Sequence, residues 1–157
     1  MNSLKAASIS KTYSIDGHNI EVLRNLNLLI NKGDTVAISG QSGSGKSTLL
    51  QILALLDKQS SGTVELNGKA VGHLSANKKS QIRLNNFGFV YQHHHLLEDL
   101  TVYENIALPL QLKGDLVNLD TKVRDLAKSI GLIERLNHLP WKLSGGEKQR
   151  VAVARAM

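Results

Sequence analysis

Gly40-Gln-Ser42-Gly43-Ser44-Gly45-Lys46-Ser47 follows the pattern G-x-x-x-x-G-K-[ST]. Glycine at these places lets backbone N–H groups come close to an anion, and a run of them can wrap a polyphosphate. In that chemistry the Lys46 ammonium reaches the β- and γ-phosphates, the Ser47 hydroxyl suits Mg²⁺, and Thr48 helps hold the α- and β-phosphates. Further along stands Leu143-Ser144-Gly145-Gly146-Glu147. Ser144 and Glu147 alone explain a capped helix start. They do not explain two adjacent glycines in its first turn, where each costs up to about 1 kcal/mol relative to alanine. Bare N–H groups at a helix start are useful where a phosphate must approach.

Both segments need particular elements to hold them. Thr35-Val-Ala-Ile-Ser39 is a short β-rich run suited to a buried strand feeding the phosphate loop, and residues 46–56 read as the helix that follows it. Before it, Ile20-Glu-Val-Leu23 and Leu26-Asn-Leu-Leu-Ile30 read as two strands separated by polar residues. Thr63-Val-Glu-Leu66 with Asn67-Gly68 is a strand and a tight turn. Phe87-Gly-Phe-Val-Tyr91 reads as another buried strand ending at Gln92. Helical signals then take over. Thr101 and Glu104 form a capping box whose helix Pro109 should end or kink. Val123, Leu126, Ala127 and Ile130 repeat at helical spacing, with Gly131 at the C-terminal cap position. Ser144 and Glu147 open a last helix running through Val151 and Ala154.

Composition narrows the function classes. The 157 residues are enough for one domain with a real core, and a mean hydropathy of −0.14 fits a globular chain. No apolar run approaches the roughly 20 residues of a membrane-spanning helix. The N-terminus lacks a signal-peptide pattern, so the chain is expected to stay in the cytoplasm. No cysteine is present, so disulfides and thiolate metal sites are excluded. The net charge is +6, but the basic residues are scattered and no aromatic-interleaved basic stripe occurs, which argues against direct nucleic-acid binding. Asn31-Lys-Gly-Asp34 matches a guanine-reading tetrapeptide but precedes the phosphate loop, so it reads as a turn and not as a GTPase feature. His93-His94-His95 suggests a metal only superficially. Consecutive strand residues alternate faces, and no acidic or cysteine partner completes a set.

Taken together, the phosphate loop, Leu143–Glu147 and the following Lys148-Gln-Arg150 resemble the ATP-binding subunits of ABC transporters, and the resemblance covers almost the whole chain. It implies an α/β fold of the P-loop NTPase class: a strand-rich N-terminal part, an α/β core and a helical subdomain. The expected organisation is one incomplete nucleotide-binding domain. Residues 1–92 would form the strand-rich and phosphate-loop core, 93–142 a helical insert, and 143–157 the signature and its helix. Tyr13 matches the family's adenine-stacking aromatic, although it also suits an edge strand. Gln92 matches the glutamine that contacts Mg²⁺ and the attacking water and couples to the membrane partner. Gly40, Ser42, Gly43, Ser44, Gly45, Lys46, Ser47 and Thr48 would hold ATP, and Ser47 with Gln92 the Mg²⁺. Ser144, Gly145 and Gly146 would read the γ-phosphate bound to a second copy.

The stretches Phe89–Leu97, Thr101–Pro109 and Asn137–Pro140 resemble the lipoprotein-releasing subgroup most, in a pattern shared with an exporter and a cell-division subgroup. The resemblance therefore implies a homodimer of nucleotide-binding domains, peripheral at the cytoplasmic face of the inner membrane. Integral permease subunits would be its partners, and closure and hydrolysis would drive export or lipoprotein release. In the family the signature helix leads to a Walker B strand with a Mg²⁺-binding Asp and a catalytic Glu, and then a switch His. The sequence stops before these, so the 157-residue chain is expected to hydrolyse ATP negligibly and to be poorly stable. A nucleotide-binding remnant and a soluble ATPase of DNA repair or translation stay open as alternatives at this stage.

Overall fold

The computed structural model describes residues 3–157, which form two compact units divided between Ser80 and Gln81. The first is built on a four-stranded sheet. β1 (Ser3–Ile15) and β2 (His18–Asn31) form a long antiparallel hairpin, running from Ser3↔Asn31 to Ile15↔His18. Asp16 and Gly17 turn it with positive φ at both positions, 51° and 79°, the geometry that matches the right-handed twist of a hairpin. β3 (Ser61–Leu66) pairs with the other edge of β1, and the Asn67-Gly68 turn leads into the short β4 (Lys69–Ala70). The strand order is therefore β2-β1-β3-β4.

Where two strands were expected over residues 20–30, the chain forms one. Asn25 takes a left-handed φ of 43° and donates its N–H to the Ser10 hydroxyl at 3.0 Å. A side chain thus replaces a ladder bond, and the polar pair Arg24-Asn25 becomes a bulge instead of a break. α1 (Lys46–Leu53) follows the phosphate loop and buries Leu49, Ile52 and Leu53, ending earlier than residue 56. The core of this unit includes Ala6, Ile9, Leu23 and Val64 beside those residues.

Two expected strands are absent. Thr35–Ser39 and Phe87–Tyr91 run without a ladder, and Val36 is 45% exposed. Both have strand composition, but among the described residues neither has a neighbouring strand to take its N–H and C=O groups, and composition alone does not make a strand. The second run is nonetheless extended. The alternating rings of Phe87, Phe89 and Tyr91 stack with centroids 6.2 and 6.1 Å apart.

α2 (Ala76–Asn86) crosses the division between the units and buries none of its side chains, which explains why no apolar period announced it. The second unit is otherwise helical. α3 (Val102–Leu112), α4 (Leu119–Ser129) and α5 (Gly145–Ala156) pack around Val102, Ile106, Ala107, Val123, Ala127, Leu132, Val151 and Ala152. Pro109 does not end α3, which continues to Leu112. The helix is buried on its Val102, Ile106 and Ala107 side, and packing there offsets the roughly 3 kcal/mol that an interior proline costs. The N–H groups of Val102 and Tyr103, orphans of the first helical turn, donate to His138 O and Leu136 O at 2.9 and 3.0 Å. His138 thereby contributes through its backbone.

Candidate nucleotide-binding site

The phosphate loop connects β2 to α1 within the first unit. Gly45 is the N-cap of α1 with φ 87°, and a Cβ there would lie 2.9 Å from both Leu23 Cδ2 and the Val22 carbonyl oxygen. Only glycine fits, on conformational and steric grounds together. The loop closes on itself: Ser44 N–H donates to Gln41 O at 3.2 Å. The Lys46 ammonium donates to Gly40 O at 2.8 Å and Gln41 O at 2.6 Å, with the Ser44 hydroxyl at 3.5 Å. The lysine is thus held over the loop it would serve. Ser47 and Thr48 sit in the first turn of α1, where no acidic side chain competes for the positive end of the helix. The donor set is that of a phosphate site: a lysine, two hydroxyls, bare glycine amides and a helix N-terminus. Hard oxygen donors such as Ser47 also suit Mg²⁺.

Tyr13 lies near the end of β1 and is half-buried. Its hydroxyl donates to Asp57 Oδ2 at 2.7 Å, and the Lys11 ammonium lies 4.5 Å from its ring centroid. Lys11, only 8% exposed, donates to Asp57 Oδ1 at 2.8 Å and Lys58 O at 2.6 Å. Burial of Asp57 works against its charge. The hydrogen bonds from Lys11, Tyr13 and Lys58 N–H outweigh that and hold the carboxyl below its ordinary range. This Lys11–Tyr13–Asp57 network was not legible in the sequence, because its members are brought together across more than forty residues. It fixes where the Tyr13 ring can stand.

In the second unit, Ser144 is the N-cap of α5 with the full capping box expected of it. Glu147 N–H donates to the Ser144 hydroxyl at 3.3 Å, and Glu147 Oε2 accepts from Ser144 N at 2.8 Å and Ser144 Oγ at 2.7 Å. Those bonds, from the Ser144 N–H first and then its hydroxyl, with Arg135 assisting, lower the Glu147 carboxyl to about 2. Gly145 and Gly146 are exposed. A Cβ on Gly145 would meet nothing within 4 Å, and one on Gly146 only the end of Arg150, at 3.9 Å. Among the described residues, no packing constraint requires either glycine.

Gln92 is exposed at the centre of a turn closed by His94 N–H donating to Tyr91 O at 3.0 Å. The histidine run therefore lies in a turn. His94 and His95 both take left-handed φ, 62° and 46°. A further residue that the sequence did not announce is Asn105, completely buried on α3. It accepts from Leu97 N and donates to the carbonyls of Leu97, Leu100 and Thr101, fastening the segment after the Gln92 turn to the helix. A lone asparagine inside an apolar helical repeat was the available signal.

The sequence profile of the ABC transporter family matches residues 23–157. The chain belongs to that family. It is 43% identical over 156 residues to the lipoprotein-releasing system ATP-binding protein LolD of Psychrobacter arcticus, covering 98% of this chain and 69% of that one. To the protein of the same description from Alcanivorax borkumensis it is 46% identical over 156 residues, covering 98% and 68%. Among solved structures, it is similar to the dimeric bacterial ABC transporter cassette MJ0796, with a TM-score of 0.88 and 38% identity over 98% of this chain and 68% of that one. The same cassette in a post-hydrolysis state bound to ADP and Pi matches equally. The fold is thus that of an ABC ATP-binding cassette, and the chain is of the ATP-binding type. Among the described residues no helix is long and apolar enough to cross a membrane.

Proposed function

We propose that this chain is the ATP-binding subunit of a lipoprotein-releasing ABC transporter. It would act as one of two copies at the cytoplasmic face of the membrane, with integral permease subunits as partners. One observation supports this more than any other: the chain has two anion-receptive helix starts, and among the described residues no packing requires the glycines of the second. In this reading Gly40, Ser42, Gly43, Ser44 and Gly45 present N–H groups to the phosphates, and Lys46 moves from its own loop carbonyls to phosphate oxygens. Ser47 would hold Mg²⁺, which when bound neutralises the charge of the phosphates, and Gln92 is read as a Mg²⁺ contact from the family resemblance alone. Tyr13 offers its ring face to adenine, steadied by Asp57. Ser144, Gly145 and Gly146 bind the γ-phosphate held by the other copy, so that the dimer closes only with ATP. The identity to LolD proteins supports lipoprotein release as the work done, with the cargo chosen by the membrane subunits.

The test is sedimentation of the protein with and without Mg-ATP, alongside Lys46→Ala and Gly145→Val. The expected result is ATP-dependent dimerisation, lost in both variants. ATP binding itself should fall at least tenfold in Lys46→Ala only, since one lost charge-assisted contact is worth about 1.5–3 kcal/mol. Binding that ignored Lys46, or dimerisation independent of ATP, would overturn the reading. Co-purification of the tagged protein with permease subunits, and their identity, tests lipoprotein release.

A further inference from the structure

We propose that Arg155 is a positioning residue for Gln92: from the last turn of α5 its guanidinium sets the turn that presents the Gln92 side chain. Arg155 Nη2 donates to His94 O at 2.9 Å and Nη1 to His95 O at 2.7 Å. These are the carbonyls of the two residues with left-handed φ just after Gln92. Residues bearing a side chain seldom adopt that conformation, and two in succession persist only where their surroundings impose it. The planar fork of a guanidinium, with fixed parallel donors, matches two neighbouring carbonyls as an ammonium does not. Arg155 is half-buried and makes no ion pair among the described residues, so the backbone of the turn is where its donors are used. Two further contacts hold the same junction. A side chain on Gly88 would run into the Ala156 carbonyl oxygen, so α5 passes directly against the 87–91 run. The His95 ring also meets Tyr91 edge-on at 5.0 Å.

The consequence lies in what else α5 carries. Its N-terminal end holds Ser144, Gly145 and Gly146, and its last turn holds Arg155, about 15 Å away along a 12-residue helix. A helix of this length, buried through Val151, Ala152 and Ala154, moves as one piece. A shift at its signature end therefore reaches the Gln92 turn through the guanidinium. The inference rests on the reading of Gln92 as a Mg²⁺ contact.

The experiment is a double-mutant cycle on ATP affinity, measured with and without Mg²⁺, using Gln92→Ala, Arg155→Lys and the two together. If Arg155 acts through Gln92, each single variant lowers the Mg²⁺-dependent gain in affinity several-fold and the double variant lowers it no further. Mg²⁺-free affinity stays within twofold throughout. Multiplying effects, or a loss in Arg155→Lys that persists without Mg²⁺, would overturn the inference. A second measurement isolates the clamp. Hydrogen exchange at the amides of residues 92–95 should speed at least tenfold in Arg155→Lys while α3 is unchanged, and unaltered exchange there also overturns it. A Gln92→Ala variant with wild-type Mg²⁺ dependence would show that the Gln92 reading itself is wrong, and the role given to Arg155 falls with it even if the clamp is real.

Discussion

Replacing Asp57 by alanine tests whether the Lys11–Tyr13–Asp57 network is held by charge. The substitution leaves the Lys11 ammonium, with its side chain 10% exposed, bonded only to Lys58 O, and frees the Tyr13 hydroxyl. Breaking a fully buried pair costs about 3–5 kcal/mol, whereas an exposed pair is worth at most about 1 kcal/mol. Asp57 is 28% exposed at its side chain, so the pair falls between these limits, and a loss of about 2 kcal/mol follows. Urea denaturation followed by circular dichroism measures it. The pH dependence supplies a second readout. Because the folded-state carboxyl lies below its ordinary value, its contribution is complete above the usual aspartate pKa of about 3.9 and is lost as pH falls through the lower folded value. Asp57→Ala should therefore flatten the acid limb of the stability profile. A loss under about 0.5 kcal/mol, the scatter of ordinary surface substitutions, with an unchanged acid limb would refute the argument.

Tyr13 separates into two parts on the same logic. Tyr13→Phe should cost about 1 kcal/mol of stability and weaken ATP less than Tyr13→Ala, which removes the ring and should weaken ATP several-fold, as isothermal titration would show. Gly145→Ala should raise stability by about 0.5 kcal/mol in thermal denaturation, since its Cβ meets nothing, while weakening ATP-dependent dimerisation at least tenfold in sedimentation. Asn105→Ala should lower stability by about 3 kcal/mol in the same denaturation assay, because it leaves the Leu97 N–H and the Leu100 carbonyl without the buried amide, while Leu97 O and Thr101 O keep backbone donors.

The local parts of the molecule are readable in the sequence alone. Both capping boxes, the phosphate loop with its helix and the Asn67-Gly68 turn stand where expected, because each is decided by residues within a few positions of one another. What failed was anything requiring a distant partner. Thr35–Ser39 and Phe87–Tyr91 have strand composition without a strand to pair with, and Pro109 stays inside a helix held by its neighbours. α2 has no apolar stripe to find. The motif residues could be picked out by pattern, but their contacts could not. Asp57, which accepts from the Tyr13 hydroxyl, and Arg155, which donates to the carbonyls of His94 and His95, stand elsewhere in the chain, and no short pattern encodes them.

The strand order has a kinetic consequence. The β1–β2 hairpin is local and can close as soon as residue 31 is available, but it leaves one edge of β1 open. That edge is filled by β3, with Leu4 opposite Leu66, so the phosphate loop and α1 lie inside the long connection that this pairing closes. Closing such a loop is slow relative to forming a hairpin or a helix. During refolding, the loop's two flanks therefore come into register late. The capacity to bind ATP should be gained together with the β1–β3 ladder, well after helix content has reached its final value.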